Sequence, residues 1–408
     1  MTFFKLTIRD VPLENKTVLV RADYNVPLTE TGEISDDLRV RASLPTIQYL
    51  LKHGCKVVIM SHLGRPEGRE AKFSLAPVAK RLTELLGKDV IFANDCIGDG
   101  VYQTVKTAQM GSVILLENLR YYKEEEADDQ SFAEKLAHDS MASYFVQDGF
   151  GVVHRAHAST HAITLCLPSV AGLLLEKEYV TITDAMEHPK KPLVAVIGGA
   201  KISDKIAVIE RFVEKADQII IGGAMGNTFL KYKGFAVGKS KAEDDQNETL
   251  DHIYTAAHAK VGDEVDKFIQ LPSDVAVGYS IDEDSERRNV SVSAIGGDDV
   301  ALDIGDASIA TMVDTIAGAG TVIWNGTLGY AELPQFAHGS ARLALALASQ
   351  KHSTTSIIGG GDTADFVLKW DGKGGESFTH VSTGGGASLE LMAGDKLPGI
   401  ESLLNAYK

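Results

Sequence analysis

Ser356-Ile-Ile-Gly-Gly-Gly-Asp-Thr363 joins an apolar β-type run to three glycines and an acid. Ala364–Leu368, which follows, can be helical, so the glycines fall where a strand ends and a helix begins. A helix N-terminus offers free N–H groups and partial positive charge to an anion, and glycine lets backbone close on it. Moving outward, the arrangement recurs: Leu193–Ile197 before Gly198-Gly199-Ala-Lys201, Ile219–Ile221 before Gly222-Gly223, Thr321–Trp324 before Asn325-Gly326, and His380–Val381 before Ser382-Thr383-Gly384-Gly385-Gly386. In the first half the loops carry charge instead. Val18–Val20 precedes Arg21-Ala-Asp23-Tyr-Asn25, Val57–Met60 precedes Ser61-His62-Leu-Gly-Arg65, Val113–Leu116 precedes Glu117-Asn118-Leu-Arg120, and Tyr144–Val146 precedes Asp148-Gly-Phe-Gly151 and His154-Arg155-Ala-His157. Strands alternating with helix-like stretches (Leu38–His53, Ser74–Leu86, Asp128–Asp139) predict an α/β fold. The expectation is two doubly wound, Rossmann-like parallel-sheet domains with ligands outside the carboxyl ends of the strands.

The length of 408 residues supports two domains. Nine of thirteen arginines lie before residue 173 and 28 of 39 glycines after it, so the halves use different recognition chemistry. A net charge of −16 argues against non-specific nucleic-acid binding. No apolar run long enough to span a membrane and no signal-peptide pattern occurs. Cys55, Cys96 and Cys166 are isolated, which favours a reducing, cytoplasmic setting. Between the halves, Val170–Glu187 reads as a connecting helix bracketed by Pro168, Pro189 and Pro192. The predicted boundaries are 1–169, a hinge helix at 170–188, and 189–396. Val290–Asp303 reads as an antiparallel ribbon, and Glu124-Glu125-Glu126 as a solvated helix start.

Individual residues admit two readings. Asp362 beside a phosphate site makes sense if Mg²⁺ sits between them; the alternative is a tight turn with Asp362 or Thr363 capping the helix. The second triple-glycine turn favours the anion site. Lys201 and Lys205, one turn apart on a helix opening after Gly199, can address one polyphosphate, or be plain surface lysines. His154, His157 and His161 fit an anion pocket with Arg155 better than a zinc site. The P-loop and GxGxxG signatures are absent. That counts against a dinucleotide dehydrogenase, and a non-catalytic binding protein would leave the lysines beside Asp362 unexplained.

The strings "VLVRADYNVPL", "SHLGRP", "LLENLRYYKEEE", "HRAHAST", "VIGGAKISDKI", "GGAMGNTFLK", "IIGGGDTADF" and "HVSTGGGASLELMAGDKLPG" together resemble the phosphoglycerate kinases, in family order and over nearly the whole chain. The resemblance implies reversible phosphoryl transfer between 1,3-bisphosphoglycerate and ADP, giving 3-phosphoglycerate and ATP, with Mg²⁺. It implies that Asp23, Asn25, Arg39, His62, Arg65, Arg120 and Arg155 hold phosphoglycerate, and that Arg39 and Lys201 stabilise the phosphoryl group in flight. Lys205, Asn325, Glu332, Gly360, Gly361, Asp362 and Thr363 would bind nucleotide, with Glu332 at the ribose and Asp362 at the metal. Gly359, Gly384, Gly385 and Gly386 would complete a backbone cradle. It further implies a monomer that closes about its hinge, and a tail, 397–408, returning to the N-terminal domain. One stretch departs from the family pattern: Thr327 stands for its usual proline and Ala331 for its phenylalanine, which predicts a looser nucleotide loop.

Overall fold

The computed structural model describes residues 2–406, so Met1, Tyr407 and Lys408, the ends of the predicted first domain and tail, lie outside the described residues. The chain divides into two units. One runs to Val180 and takes back the chain from Lys396; the other is Thr181–Asp395.

The first unit holds strands β1 (Thr17–Arg21), β2 (Lys56–Met60), β3 (Val90–Phe92), β4 (Val113–Leu115), β5 (Tyr144–Gln147) and β6 (Ser169–Ala171) in the order β3-β4-β2-β1-β5-β6. All pairs are parallel. The central strands are buried on both faces, as their unbroken apolar runs require. Its helices are α1 (Leu38–Lys52), α2 (Ala76–Leu86), α3 (Asp99–Thr107), α4 (Lys123–Glu126), α5 (Gln130–Asp139) and α6 (Leu173–Glu187), the last continuing into the second unit. Proline at the start and Gly87 in the left-handed region at the end delimit α2.

The second unit builds its main sheet from β7 (Leu193–Ile197), β8 (Gln218–Ile221), β9 (Ile269–Gln270), β13 (Thr321–Asn325), β14 (Thr355–Gly359) and β15 (His380–Val381). The order is β15-β14-β13-β7-β8-β9, again all parallel. That is the doubly wound dinucleotide-fold order, with its switch point between β7 and β13. A smaller sheet sets β10 (Asp274–Gly278) between β11 (Arg288–Ser291) and β12 (Val300–Ile304), both antiparallel to it. Helices α7 (Ile206–Lys215), α8 (Gly223–Tyr232), α9 (Asn247–Val261), α10 (Val265–Phe268), α11 (Asp306–Ala317), α12 (His338–Ser349), α13 (Gly361–Asp371) and α14 (Gly386–Ala393) complete the unit, and α15 (Pro398–Glu401) belongs to the first unit.

The structure corrects several expectations. The connecting helix does not begin at Val170: Ser169–Ala171 pairs with β5 as an edge strand, and Gly172 separates it from α6. An apolar run of that length fits either state, and sheet pairing decides it. The division between units falls within α6, at Val180/Thr181, and Lys396 sides with the first unit rather than the second. Nor do β11 and β12 form a ribbon with each other, because β10 lies between them. Finally, Glu125 is not solvated. It is 0% exposed; Ser159 Oγ donates to its Oε1 at 2.6 Å, and Arg21 lies 3.8 Å away.

In the first unit the two chain ends are stitched together. Leu6 N–H donates to Leu404 at 2.8 Å and Ala406 N–H to Phe4 at 3.0 Å. The buried Lys5 ammonium donates to the Glu401 and Leu403 carbonyls and to Asn405 Oδ1.

Candidate active site

In the first unit the loops leaving β1, β2, β4 and β5 meet at the carboxyl edge of the sheet. Asp23, just past β1, accepts the Asn25 N–H at 3.1 Å and lies 3.2 Å from Arg39 Nη1. The same Arg39, in the first turn of α1, donates to the Asn25 carbonyl at 2.9 Å. Asn25 Oδ1 reaches the β2 loop, accepting the Gly64 N–H at 2.8 Å, and Arg120 from the β4 loop donates to the Gly64 carbonyl at 2.7 Å. Gly64 sits at φ +63, where a Cβ would strike the Phe73 ring, so the turn requires glycine. His62 is buried, with Nδ1 3.9 Å from Asp23 and 3.3 Å from Arg21. The structure thus gathers Asp23, Asn25, Arg39, His62 and Arg120. Arg65 is exposed, and Arg155 donates to His154 at 3.0 Å.

Arginines set the electrostatics of this place. Burial would raise the Asp23 carboxyl, but Arg39, His62 and Arg21 outweigh it and hold it at about 2. Arg120 is lowered by burial, against the pull of Glu126 at 3.2 Å, and the charges of Arg155 and Arg65 lower it further. Burial, reinforced by arginine neighbours, pushes His154 and His157 down to about 4. Both are therefore neutral near pH 7. His161 is occupied with Asp128 at 2.6 Å, and no three metal-type side chains converge among the described residues. Sequence reasoning missed the supports beneath this cluster. The Arg21–Glu125–Ser159 group is one, and Asn118 is another, bonding Leu63 and Phe73 and so joining two loops. Asn118 lies three residues past the end of β4, and its place in a post-strand loop is the signal that marked it.

In the second unit the site lies at the β7/β13 switch point. Gly198 N–H donates to the Asn325 carbonyl and Gly199 N–H to that of Thr327, each at 2.9 Å. A Cβ on Gly198 would lie 2.1 Å from the Thr327 carbonyl oxygen, so only glycine allows this approach. No helix opens after Gly199. The chain turns through Asp204, and α7 starts at Ile206, because residues 198–199 are spent on pairing with the β13 loop. Lys201 and Lys205 therefore do not share a helix face. Lys201 is exposed. Lys205 folds back and donates to the Gly198 carbonyl at 2.8 Å; burial pushes its ammonium down to about 8, against the pull of Asp362 and Asp204.

Helices α13 and α14 begin directly at the glycine turns, with Gly360 and Gly385 as uncapped N-caps. Neither Asp362 nor Thr363 caps α13. Thr363 Oγ1 instead accepts the Gly326 N–H at 2.7 Å, tying the β14 turn to the β13 loop. Asn325 Nδ2 is buried without a partner and faces Gly360, whose Cβ would approach it to 2.9 Å. Ser388 of α14 adjoins Gly359, which brings the Gly384–Gly386 turn beside the first. Next to these turns a cavity of about 280 Å³ is lined by Gly199, Gly223, Thr327, Glu332 and Asp362, with Val300 and Leu302 as an apolar wall. The loop carrying Thr327 is not loose. Besides the bond to Gly199, Leu328 N–H donates to Ser340 Oγ, Gly223 N–H to the Leu328 carbonyl, and Tyr330 N–H to the Leu302 carbonyl. These main-chain bonds do the fastening that a proline's fixed φ would otherwise supply.

The chain is similar to known proteins of one family. The family model described as phosphoglycerate kinase matches residues 8–395. A phosphoglycerate kinase of Moorella thermoacetica is 46% identical over 400 residues, covering 98% of this chain and 99% of its own. A chloroplastic phosphoglycerate kinase of Volvox carteri is 49% identical over 395 residues, covering 96% of this chain and 84% of its own. The solved phosphoglycerate kinase of Coxiella burnetii superimposes with a TM-score of 0.82 at 36% identity, over 98% of each chain. On these grounds the chain belongs to the phosphoglycerate kinase family, whose reaction is reversible phosphoryl transfer between 1,3-bisphosphoglycerate and ADP in glycolysis.

Proposed function

We propose that this chain performs that transfer with two anion sites in separate units, phosphoglycerate in the first and nucleotide in the second. The observation that carries the nucleotide assignment is the buried, unpartnered Asn325 Nδ2, aimed at a glycine turn where an uncapped helix begins. A buried donor without an acceptor is costly, and a phosphate oxygen would satisfy it. Asn325, Gly359–Thr363 and Gly384–Gly386 then supply donors to the phosphates, Lys205 supplies charge, and Glu332 on the cavity wall reaches the ribose.

In the first unit, Asp23 and Asn25 accept and donate to the substrate's polar groups, and His62 stays neutral beside them. Arg65, Arg120 and Arg155 neutralise its far phosphate. The arriving anion offsets the repulsion that Arg155 and Arg65 exert on Arg120. Arg39 is half engaged by Asp23 and retains donors for the carboxyl end. The reacting carboxylate carries no proton at neutral pH, so no general base is needed. Arg39 and the exposed Lys201 instead balance charge on the moving phosphoryl group.

Mg²⁺ fits the residues present. This ion usually keeps its waters and takes one or two carboxylates plus substrate phosphates, and Asp362, exposed in the first turn of α13, is one such carboxylate. When bound, the metal would supply positive charge to the nucleotide phosphates, with Asp362 holding it.

Reacting atoms must approach to about 3–3.5 Å, so closure about α6 is part of the proposal. A monomeric, cytoplasmic enzyme completes it; no described helix is long and apolar enough to cross a membrane. A coupled assay with 3-phosphoglycerate and MgATP tests the reading. Turnover that vanishes with a chelator and returns with Mg²⁺ is expected, and no turnover with these substrates would overturn it.

A further inference from the structure

Asp148 follows β5 and is buried, its N–H donating to the Arg21 carbonyl at 2.9 Å. Its Oδ1 accepts from Thr46 Oγ1 at 2.9 Å and from the Leu174 N–H at 3.0 Å. Thr46 Oγ1 in turn accepts the Leu173 N–H at 2.9 Å. The first two N–H groups of α6 are therefore capped by side chains from elsewhere, one of them on α1. The joint is close-packed: a Cβ on Gly172 would lie 2.0 Å from Asp148 Oδ1. Asp148 Oδ2 is buried without a partner. Burial pushes this carboxyl up to about 7, against the bonds from Thr46 and from the Leu174 and Leu175 N–H groups. A buried carboxyl is an expensive way merely to cap the start of a helix.

The position of Thr46 gives the arrangement its meaning. Arg39 and Thr46 are two turns apart on α1 and share a face. Arg39 holds Asp23 and the Asn25 carbonyl at the phosphoglycerate site, while Thr46 holds the start of α6, the helix that runs on into the nucleotide-binding unit. We propose that Asp148 is a positioning residue for the transfer step, fixing with Thr46 the start of α6 to the helix that carries Arg39. A shift of Arg39 on meeting substrate is then passed along α1, which stays helical across Pro45, to the connecting helix. The inference rests on the reading of Arg39 given under Proposed function.

The test compares full-length Asp148→Asn, Asp148→Ala, Thr46→Val and the double variant Thr46→Val/Asp148→Ala. Asparagine keeps the Oδ1 acceptor, so Asp148→Asn should retain kcat within about twofold. Asp148→Ala and Thr46→Val should lower kcat by roughly tenfold to a hundredfold. Binary Kd values for 3-phosphoglycerate and for ADP should stay within about twofold. The double variant should fall no further than the worse single one, since both break one joint. Should Asp148→Ala fail to fold, Thr46→Val, which removes one oxygen, carries the comparison. Any of three results overturns the proposal: kcat unchanged in Thr46→Val, Asp148→Asn as impaired as Asp148→Ala, or binary affinity lost in step with kcat. Wild-type turnover reports separately on the proposed function itself.

Discussion

The Glu125 carboxylate and the Arg21 guanidinium face each other 3.8 Å apart beneath the arginine cluster, both almost wholly excluded from solvent. Removing one partner of such a pair leaves a buried charge uncompensated. Glu125→Ala should therefore cost about 3–5 kcal/mol, while Glu124→Ala, at the exposed neighbour, should cost less than about 0.5 kcal/mol. Urea unfolding of the two variants checks this, and equal midpoints would contradict the buried pairing.

Charge at the reacting centre separates kcat from KM. Arg39→Ala and Lys201→Ala should lower kcat by about 10²–10³-fold, the usual cost of losing one transition-state donor. Arg65→Ala, at the exposed edge of the phosphoglycerate cluster, should raise the KM for 3-phosphoglycerate with a smaller effect on kcat. Steady-state kinetics with each substrate varied in turn decides between these patterns. Normal kcat in both Arg39→Ala and Lys201→Ala would reject their placement.

Lys205 predicts a pH dependence. Folding lowers its pKa from 10.5 to about 8, so between those values the unfolded chain binds more protons than the folded one. The cost of burying the ammonium is fully present below pH 8 and is relieved as pH rises toward 10.5. A bound polyphosphate stabilises the charged form and raises the pKa again. ADP should thus take up protons on binding near pH 8.5, and its affinity should fall as pH rises through 8. Calorimetry in two buffers of different ionisation enthalpy measures that uptake, which should disappear in Lys205→Met.

Main-chain bonds already fasten the Thr327 loop, so Thr327→Pro should change ADP affinity by less than about 0.5 kcal/mol. Gly326 is different. It sits at φ +93, and a Cβ there would lie 2.2 Å from the Gly198 carbonyl oxygen. Gly326→Ala should weaken ADP binding and lower stability by at least about 1 kcal/mol. Titration with ADP and with 3-phosphoglycerate should show the second ligand unaffected.

Much of this architecture was readable because parallel strands buried on both faces leave continuous apolar runs, and the loops after them carry arginine or glycine in place. Val18–Val20, Leu193–Ile197 and Ser356–Ile358 are strands where the sequence puts them. What escaped depends on partners distant in the chain. Nothing local distinguishes Glu125 from Glu124; only Arg21 and Ser159, brought close by folding, select which acid is buried. Thr363 looks like a helix cap until Gly326 takes its hydroxyl. Lys201 and Lys205 look like one helical face until Gly198 and Gly199 are claimed by the β13 loop. The strand Ser169–Ala171 and the helix after it share one apolar run, and only pairing with β5 shows where one state gives way to the other.

The stitching of Lys5 and Leu6 to residues 401–405 bears on how the molecule is made. On the ribosome, the first unit emerges first yet is completed after the second, because its opening segment waits for residues 401–405 to be synthesised. The second unit is continuous in sequence and has no such wait. Domains tend to fold as units during synthesis, so the later-born unit can reach its finished form while the earlier one still lacks its closing seam. Termination after Asp395 would spare the glycine loops and leave the arginine-bearing half unsealed.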